Sequence, residues 1–286
     1  MTLTDLIKTL DSIELINSKD CKEKIDFIIR LILSVNPWLH HPIPAGTIIS
    51  RCRKGFVPLV EKSFICPEAS KITDFQRASI PFDPVFYGAV GDGSVEEGDF
   101  IAMLETSEIH RKGLNRKWEK LSVSHWEVKQ DIDMAIICHP KVFVNTNPNG
   151  AVKDMQENYK RRLPDYPNQE IIPEFDKLVE YVSGEFAKTV KDGNNHEYMI
   201  SAYFAHNSLR TESGIIYPSV QANGCLGFNV ALKPDVMENS LRFVGAEWHI
   251  LLKANSYWQV PADHKDKYSD EQLAVLLGIK SIDELP

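Results

Sequence analysis

Four segments carry the side chains best suited to chemistry: Arg51 in IISRCRKG, Arg77 in QRASIPFDPVFYGA, Glu105 in FIAMLETSEI and Ser219 in YPSV. A guanidinium offers two parallel donors to a phosphate or carboxylate. A carboxylate can stabilise a developing cation, and a serine hydroxyl can orient a neighbour or, beside a base, attack. Taken singly, each has a plainer reading: Glu105 as a salt-bridged surface acid, Ser219 as a turn or strand serine, the arginines as ordinary cations. Several other constellations fail. Gly88, Gly91 and Gly93 in GAVGDG do not have dinucleotide-loop spacing, and acidic residues follow them. The nine histidines include no HExxH or HxH pair, so no metal site is expected. Tyr217-Pro218-Ser219-Val220 lacks the glycines of a nucleophile elbow, which leaves a hydrolase triad without local support.

The chain-wide balance narrows the function classes. A net charge of −8 over 286 residues opposes broad nucleic-acid binding, which needs a basic face. An acidic protein that takes a polyanion must concentrate a few arginines at one place. The stretch 110–132 mixes Arg111, Lys112, Arg116, Lys117 and Lys120 with Trp118 and Trp126. Such a mixture can grip single strands, but at this charge a solvated helix with buried tryptophans is the better reading. Five scattered cysteines without a CxxC pair argue against a disulfide framework and for a reducing compartment. The N-terminus lacks the pattern of a signal peptide, and the apolar run Phe27 to Val35 is short and holds Arg30, so no membrane span is expected. The expected location is the cytoplasm.

Positioning falls to the following elements. Leu3, Leu6, Ile7 and Leu10, then Ile25, Ile28, Ile29 and Ile32, have helical spacing and predict two N-terminal helices, the second capped by Ser18. Residues 37–49, with three prolines and a glycine, read as a linker. Beyond it, Thr47–Ser50, Phe86–Ala89, Phe100–Leu104, Met134–Cys138 and Val142–Val144 are strand candidates. An apolar stripe from Phe175 to Val190 predicts a helix over Pro173–Lys191, a second covers Glu197–Leu209, and a β segment follows over 213–232. Ser269 and Gln272 fit a capping box. Helices segregate from strands, which predicts an α+β fold. The expected divisions are an N-terminal helical extension (1–44), a catalytic domain (45–245) with an insertion around 110–195, and a C-terminal extension (246–286).

In combination the motifs are less ordinary. RCR, QRASIPFDPVFYGA, LETSEI and GIIYPSVQANGCLGFNVAL, in that order, resemble the RES domain family over roughly residues 45–245. The resemblance implies an ADP-ribosyltransferase-like core of mixed or antiparallel strands with flanking helices. It also implies an enzyme that degrades NAD, often a toxin held in check by an Xre-type antitoxin, with a homo-oligomer left open. Carried onto this chain, the family's first arginine is Arg51 (with Arg53 as rival) and its second Arg77. Its aromatic is Tyr87, its acid Glu105 and its serine Ser219, with Asn229 on a recurring polar position. The second arginine stands here in Gln76-Arg77-Ala78-Ser79 rather than a Gly-Arg-aromatic-Asn context, and the Tyr87–Glu105 and Glu105–Ser219 intervals are long.

Those residue types suit N-riboside cleavage. Expelling neutral nicotinamide leaves an oxocarbenium-like ribosyl cation, which Glu105 would stabilise. Arg51 and Arg77 would engage the diphosphate, Tyr87 would stack on nicotinamide or wall the pocket, and Ser219 would fix a ribose hydroxyl or orient Glu105. NAD enters as substrate, and the chemistry calls for no cofactor. Water, phosphate or a protein side chain could accept the ribosyl group. A catalytically inert nucleotide- or partner-binding module is the competing reading.

Overall fold

Local signals at the N-terminus are realised as two capped helices in the computed structural model, which describes residues 2–34, 38–112, 118–144, 146, 150–165, 169–191, 193–222, 226–252 and 256–260. In α1 (Leu3–Asp11), Thr2 and Asp5 exchange side-chain-to-amide bonds as a capping box, and Leu3, Leu6 and Leu10 are buried. In α2 (Lys19–Leu33), the Ser18 hydroxyl accepts from the Cys21 amide, and Ile25, Ile28, Ile29 and Ile32 form the buried stripe.

Strands and helices then follow in chain order. They are β1 (His40–Ile43), β2 (Ile48–Lys54), β3 (Phe86–Gly91), α3 (Val95–Thr106), α4 (Glu108–Lys112), β4 (Trp118–Val128), β5 (Ile132–Ile136) and α5 (Ala151–Arg162). After them come α6 (Ile172–Ala187), α7 (Met199–Ser208), β6 (Gly214–Pro218), β7 (Gly227–Leu232), α8 (Pro234–Ser240), β8 (Leu241–Leu252) and β9 (Ser256–Val260). The strands make one nine-stranded sheet in the order β1-β5-β6-β7-β3-β2-β4-β8-β9. Among the described residues only the β5–β6 pairing is parallel, so the sheet is mixed and the fold is α+β.

Both faces of the central strands are covered, which is why they read as unbroken apolar runs. Ala135, Ile215, Tyr217 and Ala231 face a core shared by α1, α2, α6 and α7. Their neighbours Met134, Ile136, Ile216, Val230 and Leu232 face the opposite core with Phe86, Trp126 and the α5 residues Val152 and Met155. The N-terminal helices therefore share the main core, and β8 runs across the 245/246 boundary.

The join in the middle of the sheet is weak. β2 and β3 share a single registered pair, Ser50 with Ala89, whereas β2 pairs with β4 along all seven of its residues. The sheet is thus two halves that part beside Arg51 and Tyr87.

Several expectations are corrected. Phe100–Leu104 is not a strand but lies inside α3, where the sheet and neighbouring loops bury Ile101, Ala102, Met103 and Leu104 all round and erase any helical stripe. The helix expected in 110–132 is instead β4 over Trp118–Val128, with Trp126 buried and Trp118 half-buried. Val142–Val144 forms no strand, and the 37–49 linker contains β1, which pairs with β5. The Pro173–Lys191 helix is α6, and the expected Glu197–Leu209 helix is a short 3-10 turn leading into α7. The capping box at Ser269 lies outside the described residues, as does Cys225; Cys21, Cys52, Cys66 and Cys138 are free thiols. Among the described residues no helix is long and apolar enough to cross a membrane.

Two glycines make opposite demands. Gly227 opens β7 at φ +136°, and a Cβ there would collide with the Val90 carbonyl oxygen. Gly184 sits in α6 with open space where a Cβ would be. Gly227→Ala is expected to cost about 2 kcal/mol, or roughly 4–8 °C in Tm, whereas Gly184→Ala gains about 0.5–1 kcal/mol. Thermal denaturation of the two variants checks the sign of each.

Candidate functional site

Glu105 lies in the last turn of α3, where the helix carbonyls present partial negative charge. A carboxylate there needs donors, and the sheet supplies two. The Ser219 hydroxyl, just beyond β6, donates to Glu105 Oε1 at 2.7 Å, and Asn229 Nδ2, on β7, donates to the same oxygen at 2.9 Å. Both bonds converge on Oε1, while Oε2 accepts from none of the described residues. Glu105 and Asn229 line a cleft of about 730 Å³, with Ser219 fully buried behind them.

The serine is fixed from both sides. Its hydroxyl proton goes to Glu105, and its oxygen accepts from the Ala222 amide at 3.2 Å. It is fully buried and its oxygen is already held by the Ala222 amide, so its geometry suits orienting the carboxylate rather than attacking a substrate.

The arginines meet the cleft where β2 and β3 part. Arg51 is buried, stacks over Phe86 at 4.6 Å and donates from one terminal nitrogen to the Tyr87 carbonyl at 2.8 Å. Its Nε is buried without a hydrogen-bond partner. Burial, followed by the charge of Arg53, pushes the Arg51 pKa down, so an anion brought to this position would be favoured twice, by charge and by the orphaned donor. Arg53 donates to the Ile65 carbonyl at 2.8 Å and also lines the cleft. Two adjacent guanidinia in one cleft explain why the sequence left them as rivals.

Arg77 occupies another wall. It donates to the Phe186 carbonyl at the end of α6, lies 5.1 Å over the Tyr198 ring, and reaches the Tyr198 hydroxyl at 3.5 Å. A cation at a helix C-terminus is favourably placed, so Arg77 ties its loop to α6 while lining the cleft. The Tyr87 hydroxyl accepts from the Ala78 amide at 2.9 Å and holds that loop against β3; burial raises its pKa. Ser79, in the position of the missing asparagine, donates to the Asp83 carbonyl at 2.8 Å within its own loop and lies beside the Tyr87 hydroxyl.

The structure thus bonds Glu105, Ser219 and Asn229 directly and gathers Arg51, Arg77 and Tyr87 on the same cleft. Sequence reasoning missed two aromatic walls. Tyr217 pairs with Asn229 across β6–β7, packs on Phe186 with ring centroids 5.0 Å apart and lines the cleft. Its spacing of two from Ser219 was a readable signal of a shared strand face. Tyr198 carried no comparable signal, because it reaches the site through a loop-to-helix junction.

No family model, curated protein or solved structure matches this chain. The functional reading therefore rests on the site.

Removing the serine hydroxyl strips one charge-assisted bond from Glu105 and leaves the buried Ala222 amide unpaired. Ser219→Ala is expected to lower unfolding free energy by about 1–3 kcal/mol despite the small change in volume. Urea denaturation at neutral pH measures this, and an unchanged midpoint would contradict the tie between β6 and α3.

Proposed function

We propose that this chain cleaves the nicotinamide–ribose bond of NAD. The observation that carries the reading is the Glu105 carboxylate, gripped at Oε1 by Ser219 and Asn229 on the wall of a cleft that also holds Arg51, Arg53 and Arg77.

The residues divide the work as the reaction requires. Breaking the N-riboside expels nicotinamide as a neutral base, so the departing group needs no proton. Positive charge develops at the ribose carbon, and a preoriented carboxylate stabilises it without reorganising. Oε2 of Glu105 is the oxygen available for that role, with Ser219 and Asn229 as positioning residues. Arg51, with its unpaired Nε and its neighbour Arg53, suits the diphosphate. The tyrosines Tyr87, Tyr198 and Tyr217 supply apolar wall against which the nicotinamide or adenine ring can lie. Under this reading the mixed sheet is of the ADP-ribosyltransferase-like kind, the enzyme acts in the cytoplasm as the toxin of a pair, and an Xre-type antitoxin is its partner.

A second reading, an inert nucleotide-binding module, draws support from one observation: Arg51 and Arg77 already donate to carbonyls of their own chain. Incubation with NAD separates the two. Catalysis predicts stoichiometric nicotinamide release, with ADP-ribose as co-product if water accepts the ribosyl group and its anomeric phosphate if inorganic phosphate does. Saturable NAD binding by calorimetry with no nicotinamide released would establish the inert module instead. Within the catalytic reading, Arg51→Ala is expected to raise KM for NAD by about 10–100-fold, from loss of one or two charge-assisted bonds. An unchanged KM would move the diphosphate to Arg53 or Arg77.

A further inference from the structure

On the α3 face of the other half-sheet, three donor side chains from three elements converge away from the residues assigned above. Asp99 from the second turn of α3, His125 from β4 and Glu247 from β8 each offer a ligand atom, and these atoms lie within 4.8 Å of one another. His125 Nε2 is 2.9 Å from Asp99 Oδ1. The two atoms share a hydrogen bond at that distance, and parting to about 3.4 Å would place them as tetrahedral ligands about 2.1 Å from one ion. We propose that Asp99, His125 and Glu247 bind a divalent first-row transition ion, which pins α3 to β4 and β8.

The surroundings are built for that role. One carboxylate is positioned by a neighbour outside the trio: the Ser50 hydroxyl donates to Asp99 Oδ1 at 2.6 Å. His249 Nε2 lies at ion-pair distance, 3.2 Å, from Glu247 Oε1. Such outer contacts orient ligands and strengthen metal sites. A bulge between β4 and β8 falls at His125/Trp126, and Gly245, the residue opposite His125, has open space where a side chain would stand. Bulges re-aim side chains, and the missing side chain keeps room beside the imidazole for further ligands such as water. Asp99 is buried, so two carboxylates near one imidazole leave negative charge in a poorly solvated place. One imidazole with two carboxylates suits Zn²⁺, Mn²⁺ or Fe²⁺ better than Ca²⁺ or Mg²⁺, for which imidazole is a poor ligand. The three positions, 99, 125 and 247, are far apart in sequence, so no spacing motif announces them.

The test uses the full chain, free of any tag and stripped with a chelator. Zn²⁺ titrated by calorimetry is expected to bind as a single equivalent and to raise Tm, by mass action on the folded state. His125→Gln and Glu247→Gln, which keep hydrogen-bonding capacity, should each abolish the saturable equivalent, and Ser50→Ala should weaken it by about 10–100-fold. His196→Ala, at a half-buried position outside the trio, should leave it intact. Absence of a saturable equivalent in the wild-type chain, persistence of it in both glutamine variants, or tighter binding of Mg²⁺ than Zn²⁺ would each overturn the proposal. Nicotinamide release plays no part in this readout, so the metal site stands or falls apart from the NAD reading.

Discussion

A carboxylate in the last turn of a helix faces the negative end of the helix dipole, and Glu105 is held there by two hydrogen bonds from a different layer of the protein. That arrangement constrains much else. Ser219, just past the end of β6, and Asn229 on β7 must arrive side by side, which fixes the β6–β7 register and the glycine at position 227. Helix α3 must lie across the sheet with its C-terminal turn over β7, which requires the capped start at Ser94 and the close packing of Gly98 on Ser50 and Ala89. The buried run Ile101 to Leu104 is the apolar contact that holds the helix down.

The second constraint is the parting of β2 from β3. A continuous sheet would have filled the space beside Tyr87 with backbone hydrogen bonds. Here a guanidinium meets the Tyr87 carbonyl instead, and a cleft opens between the half-sheets. Buried backbone acceptors are rarely left unpaired, so Arg51 has a structural duty alongside any ligand it takes. The same holds for Arg77, which closes the end of α6. Residues with two duties make simple deletions ambiguous, and that argues for reading KM and stability together.

Legibility from sequence followed the length and uniformity of each signal. The stripes of α1, α2 and α6 were plain because each helix buries one face. Helix α3 was not, since it is buried nearly all round and its apolar run has no period. Strand β4 was hidden by lysines and tryptophans that look amphipathic in either period. The residues expected at the site come together on one cleft, with Ser219 behind it, but their bonding was not legible: nothing in the spacing of 105, 219 and 229 says that all three meet at one oxygen. Tertiary convergence of distant positions is invisible without coordinates, and the Asp99–His125–Glu247 grouping escaped for the same reason.

The account turns on whether the oriented carboxylate of Glu105 does the chemistry. The most direct measurement compares nicotinamide release from NAD by the wild-type chain and by Glu105→Gln, with Tm recorded for both. The account predicts a fall in kcat of about 10²–10³-fold with KM little changed and the fold retained. Equal turnover by a folded Glu105→Gln enzyme would contradict it.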